Sequence, residues 1–259
     1  MARTLRAASP PFGVLNVAVA GVDTFALLVD EEVRDPEVYL RENPSDPKVL
    51  FNVITAVTRE YNLSRMLHAL ESSIEPVKNL ADVRWTTVFD APGPAWKYTP
   101  SVLDSASKIR IDMAIYHGPR IRFGIHQKNL GFDLADDRAY CVILDDDNVI
   151  HPKFFRRMTE IIRQNPVKRA FICSQQRWDM CSLRAAADMM LPCSVDNTMC
   201  LVQKSLIGAR RHDPAKAGIE DFHYIRGILD SAPEEFVFVD EMLAYYNYLN
   251  VEKGVGAPD

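Results

Sequence analysis

Residues Tyr140 to Asn148 read YCVILDDDN: a β-prone run with almost no polar atom passes straight into three carboxylates. An apolar run without alternation marks a strand buried on both faces, the usual state of a strand inside a helix-covered parallel sheet. In such sheets ligands bind beyond the carboxyl ends of the strands. Asp145, Asp146 and Asp147 therefore fall on the binding rim. Carboxylates packed this closely repel one another, and some of them rise in pKa unless a cation sits among them. Oxygen donors of this kind suit Mg2+ or Mn2+, which also take oxygens from phosphates. A divalent ion here could grip a diphosphate and stabilise its charge as it leaves. A capping role before His151-Pro152 would need one aspartate, not three.

Outward from this strand, the chain alternates strands and helices. Val49 to Val57 (VLFNVITAV) is a second near-continuous apolar run. Leu63, Met66, Leu67, Leu70 and Ile74 then form one helical stripe, with Asn62 placed as its cap and Pro76 just past its end. Val83 to Phe89 reads as a strand, Ser101 to Tyr116 as a helix and Arg120 to His126 as a strand. Lys153 to Gln164 is a helix carrying Phe154, Phe155, Met158, Ile161 and Ile162. Val167 to Cys173, Met199 to Gln203 and Phe236 to Val239 are further strands, and Asp221 to Leu229 a helix. The expectation is an α/β chain with a mostly parallel sheet flanked by helices. Asp90, after the Val83 to Phe89 strand, shares the rim with Asp145.

Residues 1–46 read as a short N-terminal extension ending in RDPEVYLRENPSDPK, and residues 47–259 as the main domain. The apolar stretch Gly13 to Val29 follows Pro10 and Pro11 and is interrupted by Asn16 and Asp23. It is too short for a membrane span and fits one or two strands better than a signal or anchor. Such an apolar arm could also serve a homo-oligomer interface. The net charge of -5 over 259 residues argues against a nucleic-acid binder. Five cysteines with no CxxC pair point to buried free thiols in a reducing, cytoplasmic setting.

Gly218-Ile219-Glu220-Asp221 opens a helix that carries Arg226. A carboxylate there could accept a proton from an incoming hydroxyl, or could simply favour the positive end of the helix.

Four segments in this order resemble inverting glycosyltransferases of the GT-A (Rossmann-like) fold, families 2 and 43. They are TAVTREYNLSRMLHALESSI from Thr55, RWTTVFDAPG from Arg84, VILDDDN from Val142, and EDFHYIRGILDSAPEEFVFVDEMLAYY from Glu220. The resemblance spans about residues 48–250 and implies a site residue by residue. Thr58, Arg59, Tyr61 and Asp90 would hold the base and ribose of a nucleotide-diphosphate sugar, with a UDP-sugar expected. Lys128, in a Gln127-Lys128-Asn129 segment similar to the QRN of family 43, would see phosphate. Asp145 would meet the ribose or a metal-bound water, with Asp146 beside it, and Asp147 would ligate Mn2+ or Mg2+ directly. Asp221 would be the base, with Glu220 its neighbour. The acceptor would be a glycan, a lipid or a small molecule.

Two departures bear on this assignment. Many relatives place a metal-binding histidine where this chain reads Tyr245-Tyr246-Asn247-Tyr248. Gln175-Gln176-Arg177-Trp178 is one residue short of the QxxRW of processive synthases and precedes the Glu220 helix instead of following it. Trp178 could still line an acceptor pocket or serve only to pack. Two rival classes are a sugar nucleotidyltransferase and a non-catalytic nucleotide-sugar-binding module. The first needs a glycine-rich phosphate loop, and Thr55 to Leu63 contains no glycine.

Overall fold

The computed structural model describes residues 13–16, 26–29, 47–90, 109–118, 122–177 and 182–251. The chain divides into two compact units, Met1–Asn43 and Pro44–Asp259. In the first, β1 (Gly13–Asn16) pairs antiparallel with β2 (Ala26–Val29).

The second unit opens with β3 (Val49–Val57), buried at eight of its nine positions as an unbroken apolar run requires. The helix α1 (Leu63–Ile74) follows and buries Leu63, Met66, Leu67, Leu70 and Ile74, the stripe read from the sequence. Next come β4 (Ala81–Asp90), β5 (Arg110–Tyr116), α2 (Ile125–Asp133), β6 (Tyr140–Ile143), β7 (Val149–Ile150) and α3 (Phe154–Gln164). The unit continues with β8 (Ala170–Arg177), β9 (Ser182–Leu183), β10 (Cys200–Gln203), α4 (Lys204–Ile207), α5 (Glu220–Ser231), β11 (Phe236–Tyr246) and α6 (Tyr248–Val251).

The sheet runs β5-β4-β3-β6-β10-β8-β11-β7, with β9 on β8. Its β5-β4-β3-β6 half is parallel throughout, and so is the β8–β11 pair. β10 is antiparallel to both β6 and β8, so the sheet is mixed. A buried relay runs from the middle of β4 through β3 to the carboxyl end of β6. Trp85 Nε1–H donates to Thr55 Oγ1 at 2.9 Å, and the Thr55 hydroxyl donates to the Leu144 carbonyl at 2.8 Å. Each polar group of this relay thus has its partner, which fixes the base of the acidic turn.

Several sequence expectations are corrected. Arg110–Tyr116, read as the end of a helix, is a strand parallel to β4; residues 101–108 of that stretch lie outside the described residues. Ile109, Ile111, Met113 and Ile115 recur at period two, as a strand requires. Arg120 to His126 is no strand over its described part. Phe123 and Gly124 take φ of 65° and 62°, which breaks an extended backbone, and α2 starts at Ile125. β11 runs well past Val239, absorbing Asp240 and Glu241 through register shifts. Cys141, Cys173 and Cys200 are buried free thiols, but Cys193 is exposed, and Cys181 lies outside the described residues. Among the described residues, no helix is long and apolar enough to cross a membrane.

Candidate active site

The acidic turn follows β6 and is locked from three sides. Asp146 points inward, its side chain 3% exposed. Its carboxylate accepts from Thr58 N–H at 2.6 Å, Thr58 Oγ1 at 2.8 Å and Arg59 N–H at 2.5 Å. The Arg59 guanidinium adds a fourth contact at 2.5 Å. The Asp146 carbonyl accepts from Asn62 Nδ2 at 2.8 Å. Asn62 makes no side-chain cap on α1, contrary to the sequence expectation, because its amide serves this turn. On the other side, Asn148 donates to Thr198 Oγ1 and accepts from Asn247 N–H, both at 2.8 Å. Asp146 is thereby spent on holding the β3–α1 turn against the β6 turn, while Asp145 and Asp147 stay more exposed.

The second cluster gathers across the same cavity. Lys128 arrives from α2 with its side chain only 2% exposed, and its Nζ lies 3.2 Å from Asp145 Oδ1 and 3.7 Å from Asp221 Oδ1. Oxygens of Asp145, Asp196 and Asp221 all lie within 4.8 Å of one another. Asp196 accepts from Thr198 N–H at 2.8 Å and Gln175 Nε2 at 3.1 Å. Asp221, on the first turn of α5, accepts from Asn197 Nδ2. Glu220 is buried and accepts from Gly218 N–H at 2.6 Å.

The electrostatics follow from crowding. Burial, then Asp145, pushes the Asp147 carboxyl up to about 7 against the pull of Arg59. Burial also raises Asp221 to about 7; Lys128 opposes this, while Asp196, Asp145 and Glu220 add to it. Burial and Asp145 raise Asp196 as well. Burial would lower Lys128, but the surrounding carboxylates, Asp145 first, overcome it and hold the ammonium charged. His212 is held well below the usual imidazole range by burial and by Lys128.

All of these groups except His212 face a cavity of about 500 Å³. Thr58, Arg59, Lys128, Asp145, Asp146, Asp147, Glu220 and Asp221, all named from the sequence, line it together. Asp90 and Tyr61 do not: Asp90 ends β4 and pairs in register with Tyr116, and Tyr61 is 56% exposed. Asp196, Arg177 and Tyr246 line the cavity without having been singled out as site residues. Asn197 and His212 stand behind Asp221. Of these, only Asp196 leaves a local trace, an aspartate that accepts a backbone hydrogen two residues on. Trp178 lies outside the described residues.

The donor set fits a divalent ion. Six carboxylates (Asp145, Asp146, Asp147, Asp196, Glu220 and Asp221) line the cavity with four cations, Arg59, Arg122, Lys128 and Arg177. Burial is the first cause of the raised Asp147 and Asp221, the neighbouring carboxylates add to it, and an added cation would relieve that second part.

No family model and no curated protein matches the sequence. Solved structures do resemble it. Residues 1–349 of TarS from S. aureus superpose with a TM-score of 0.58 at 11% identity, covering 76% of this chain and 60% of that one. The same protein in complex with UDP gives 0.57 at 12% identity, with the same shares covered. The mannosyltransferase PcManGT from Pyrobaculum calidifontis, in complex with GDP-Man and Mn2+, gives 0.56 at 14%, covering 79% of this chain and 58% of that one. The likeness is one of fold, GT-A in type, and this chain spans about 60% of the length of the first of these structures.

Proposed function

We propose that this chain is a metal-assisted inverting glycosyltransferase, related to families 2 and 43, that transfers a sugar from a nucleotide-diphosphate donor, preferentially a UDP-sugar, to an acceptor hydroxyl. One observation carries the reading. Asp221 reaches the cavity from the first turn of α5 and stands across Lys128 from the acidic turn, with its carboxyl raised to about 7. A carboxylate with a pKa near neutrality, lining a cleft, is suited to general-base work. The resembling structures with UDP and with GDP-Man and Mn2+ support the donor class.

In this reading Asp147 and Asp145 would hold Mn2+ or Mg2+, which supplies charge stabilisation for a departing diphosphate. Thr58 and Arg59, fixed on Asp146, form the wall for the nucleotide; Tyr61 and Asp90 extend it toward the base. Lys128 places a buried positive charge under the diphosphate end. Asp221 takes the proton as the acceptor oxygen bonds to the anomeric carbon, and the carbon–oxygen bond to the diphosphate breaks with its electron pair. Glu220 braces the start of α5 through Gly218. The β3–α1 turn, free of glycine, argues against nucleotidyl transfer. The free buried thiols accord with a cytoplasmic setting.

A thermal-shift series with UDP, UDP-GlcNAc and GDP-mannose, each with and without Mn2+, tests the reading first. A ligand that binds only the folded state raises Tm by mass action. The expected result is a Mn2+-dependent rise with a uridine ligand. No rise with any of them, with or without metal, would sink the proposal.

A further inference from the structure

Among the described residues, Asp221 takes its contacts on one oxygen. Oδ1 accepts from Asn197 Nδ2 and stands 3.7 Å from Lys128 Nζ and 3.8 Å from His212 Nε2. Oδ2 is left as the oxygen that can take a proton. The Asn197 amide is itself fixed, because its Oδ1 faces His212 Nε2 at 3.2 Å. His212 is buried, and its Nδ1 has no hydrogen-bond partner. The ring is clamped by stacking on Tyr224, 4.1 Å between centroids, and on Phe132 at 5.9 Å. Its backbone is held at both polar atoms by Asn129, with His212 N–H donating to Asn129 Oδ1 at 2.8 Å and Asn129 Nδ2 donating to the His212 carbonyl at 2.9 Å.

With Asp221 ionised, the form in which it acts as base, only one arrangement of protons satisfies this chain. If Nε2 lacked its proton, two lone pairs would face each other across the gap to Asn197 Oδ1. If the Asn197 amide flipped, its oxygen would meet the Asp221 carboxylate. A neutral ring with the proton on Nε2 donates to Asn197, and Asn197 then donates to Asp221. We infer that Asn197 is a positioning residue, oriented by neutral His212, that fixes Oδ1 of Asp221 and leaves Oδ2 facing the acceptor. This rests on reading Asp221 as the base. Asn129 adjoins Lys128 on α2, so the helix that delivers the ammonium also holds His212, which orients Asn197.

The test uses hydrolysis of UDP-GlcNAc, or of GDP-mannose if that gives the larger Mn2+-dependent thermal shift, with water standing in for the acceptor. Asn197→Ala is expected to lower kcat by roughly 10- to 100-fold, with donor affinity by calorimetry and KM unchanged, as for a group that acts only on the reacting geometry. His212→Gln keeps an Nε2 donor and is expected to retain most of kcat. His212→Leu fills similar space without a donor and is expected to fall with Asn197→Ala. Full kcat in Asn197→Ala, or equal losses in both His212 variants, would overturn the inference. So would a loss of donor affinity that matches the loss of rate. Asp221→Asn separates the two levels. If it stays active, the base assignment itself fails; if it is crippled while Asn197→Ala is not, only the positioning role fails. Should the variants not fold, nitrogen NMR of the parent decides: His212 must carry its proton on Nε2 at neutral pH, and the opposite tautomer overturns the inference.

Discussion

Asp146 and Asp147 are the same residue one position apart, yet the turn around them treats them in opposite ways. Asp146 has both oxygens engaged, Oδ2 by Thr58 and the Arg59 N–H and Oδ1 by the Arg59 guanidinium, whereas Asp147 meets the Arg59 guanidinium at 3.0 Å and is crowded by Asp145. Asp146→Asn can keep an oxygen toward the backbone N–H donors only by turning its NH2 toward the Arg59 guanidinium, and should destabilise the fold by about 1.5–3 kcal/mol, the range for hydrogen bonds to a charged group. Asp147→Asn should do the reverse. With the folded pKa near 7 and the unfolded near 4, the folded state holds a proton that the unfolded state has lost, so stability drains away as pH climbs between those values. The asparagine variant escapes this and should melt several degrees above the parent at pH 8, with no advantage at pH 4. Mn2+ should raise Tm for the parent only. Calorimetry at the two pH values decides; a variant less stable than the parent at pH 8 would mean that the Arg59 pair outweighs the crowding. For catalysis, Asp221→Asn should cut turnover by roughly 10²–10⁴-fold, while Glu220→Gln, which brings the same loss of charge next door, should cost far less.

The helix α2 shows how an element can be decisive for the site and invisible to pattern reading. Its buried face carries Gln127, Lys128 and Gly131 beside Ile125 and Phe132, so no apolar stripe marks it. α1 and β3 were legible because burial there falls on apolar residues at clean spacing. β5 is harder to read because, on an edge strand half-exposed to solvent, burial does not follow the period-two recurrence of its apolar residues. The motif residues Thr58, Arg59, Lys128, Asp145 to Asp147, Glu220 and Asp221 could be named from the sequence. Asp196, Asn197 and His212 could not, because their roles arise only once β10, α2 and α5 converge. The packing of α2 is tight where it meets β3: a Cβ on Gly131 would stand 2.2 Å from Ile54 Cγ2, a stiff and fully buried side chain. Gly131→Ala should cost about 1–3 kcal/mol from overpacking and displace Lys128. Gly227→Ala on α5, where nothing lies within 4 Å of the new Cβ, should stabilise by about 0.5–1 kcal/mol. Urea midpoints for the pair check the contrast; equal behaviour would mean that α2 can shift freely on the sheet.

Summed over the molecule, these site groups give the stability an unusual pH dependence. Asp147 and Asp221, raised to about 7, and Asp196, also raised, bind protons in the folded state that the unfolded chain releases above about 4. Each makes stability fall as pH rises through that window. His212 works the other way. Its folded pKa lies well below the usual value, so below about 6.5 the unfolded chain takes a proton that the folded one refuses, and stability falls as pH drops. Three acids against one histidine leave a net slope downward with rising pH between about 4 and 7. A net charge of -5 adds self-repulsion of the same sign. In EDTA the protein should accordingly melt higher at pH 5.5 than at pH 8. His212→Gln should steepen that difference, because it removes the one opposing proton. Mn2+ should reverse it: a divalent ion binds the deprotonated carboxylates, releases their protons and stabilises most where pH is high. Melting curves at pH 5.5 and 8, in EDTA and in Mn2+, carry the test. A higher Tm at pH 8 in EDTA would show that the acidic cluster is neutralised by something other than protons, and the shifted carboxylates would lose their claim to be the site of metal and base.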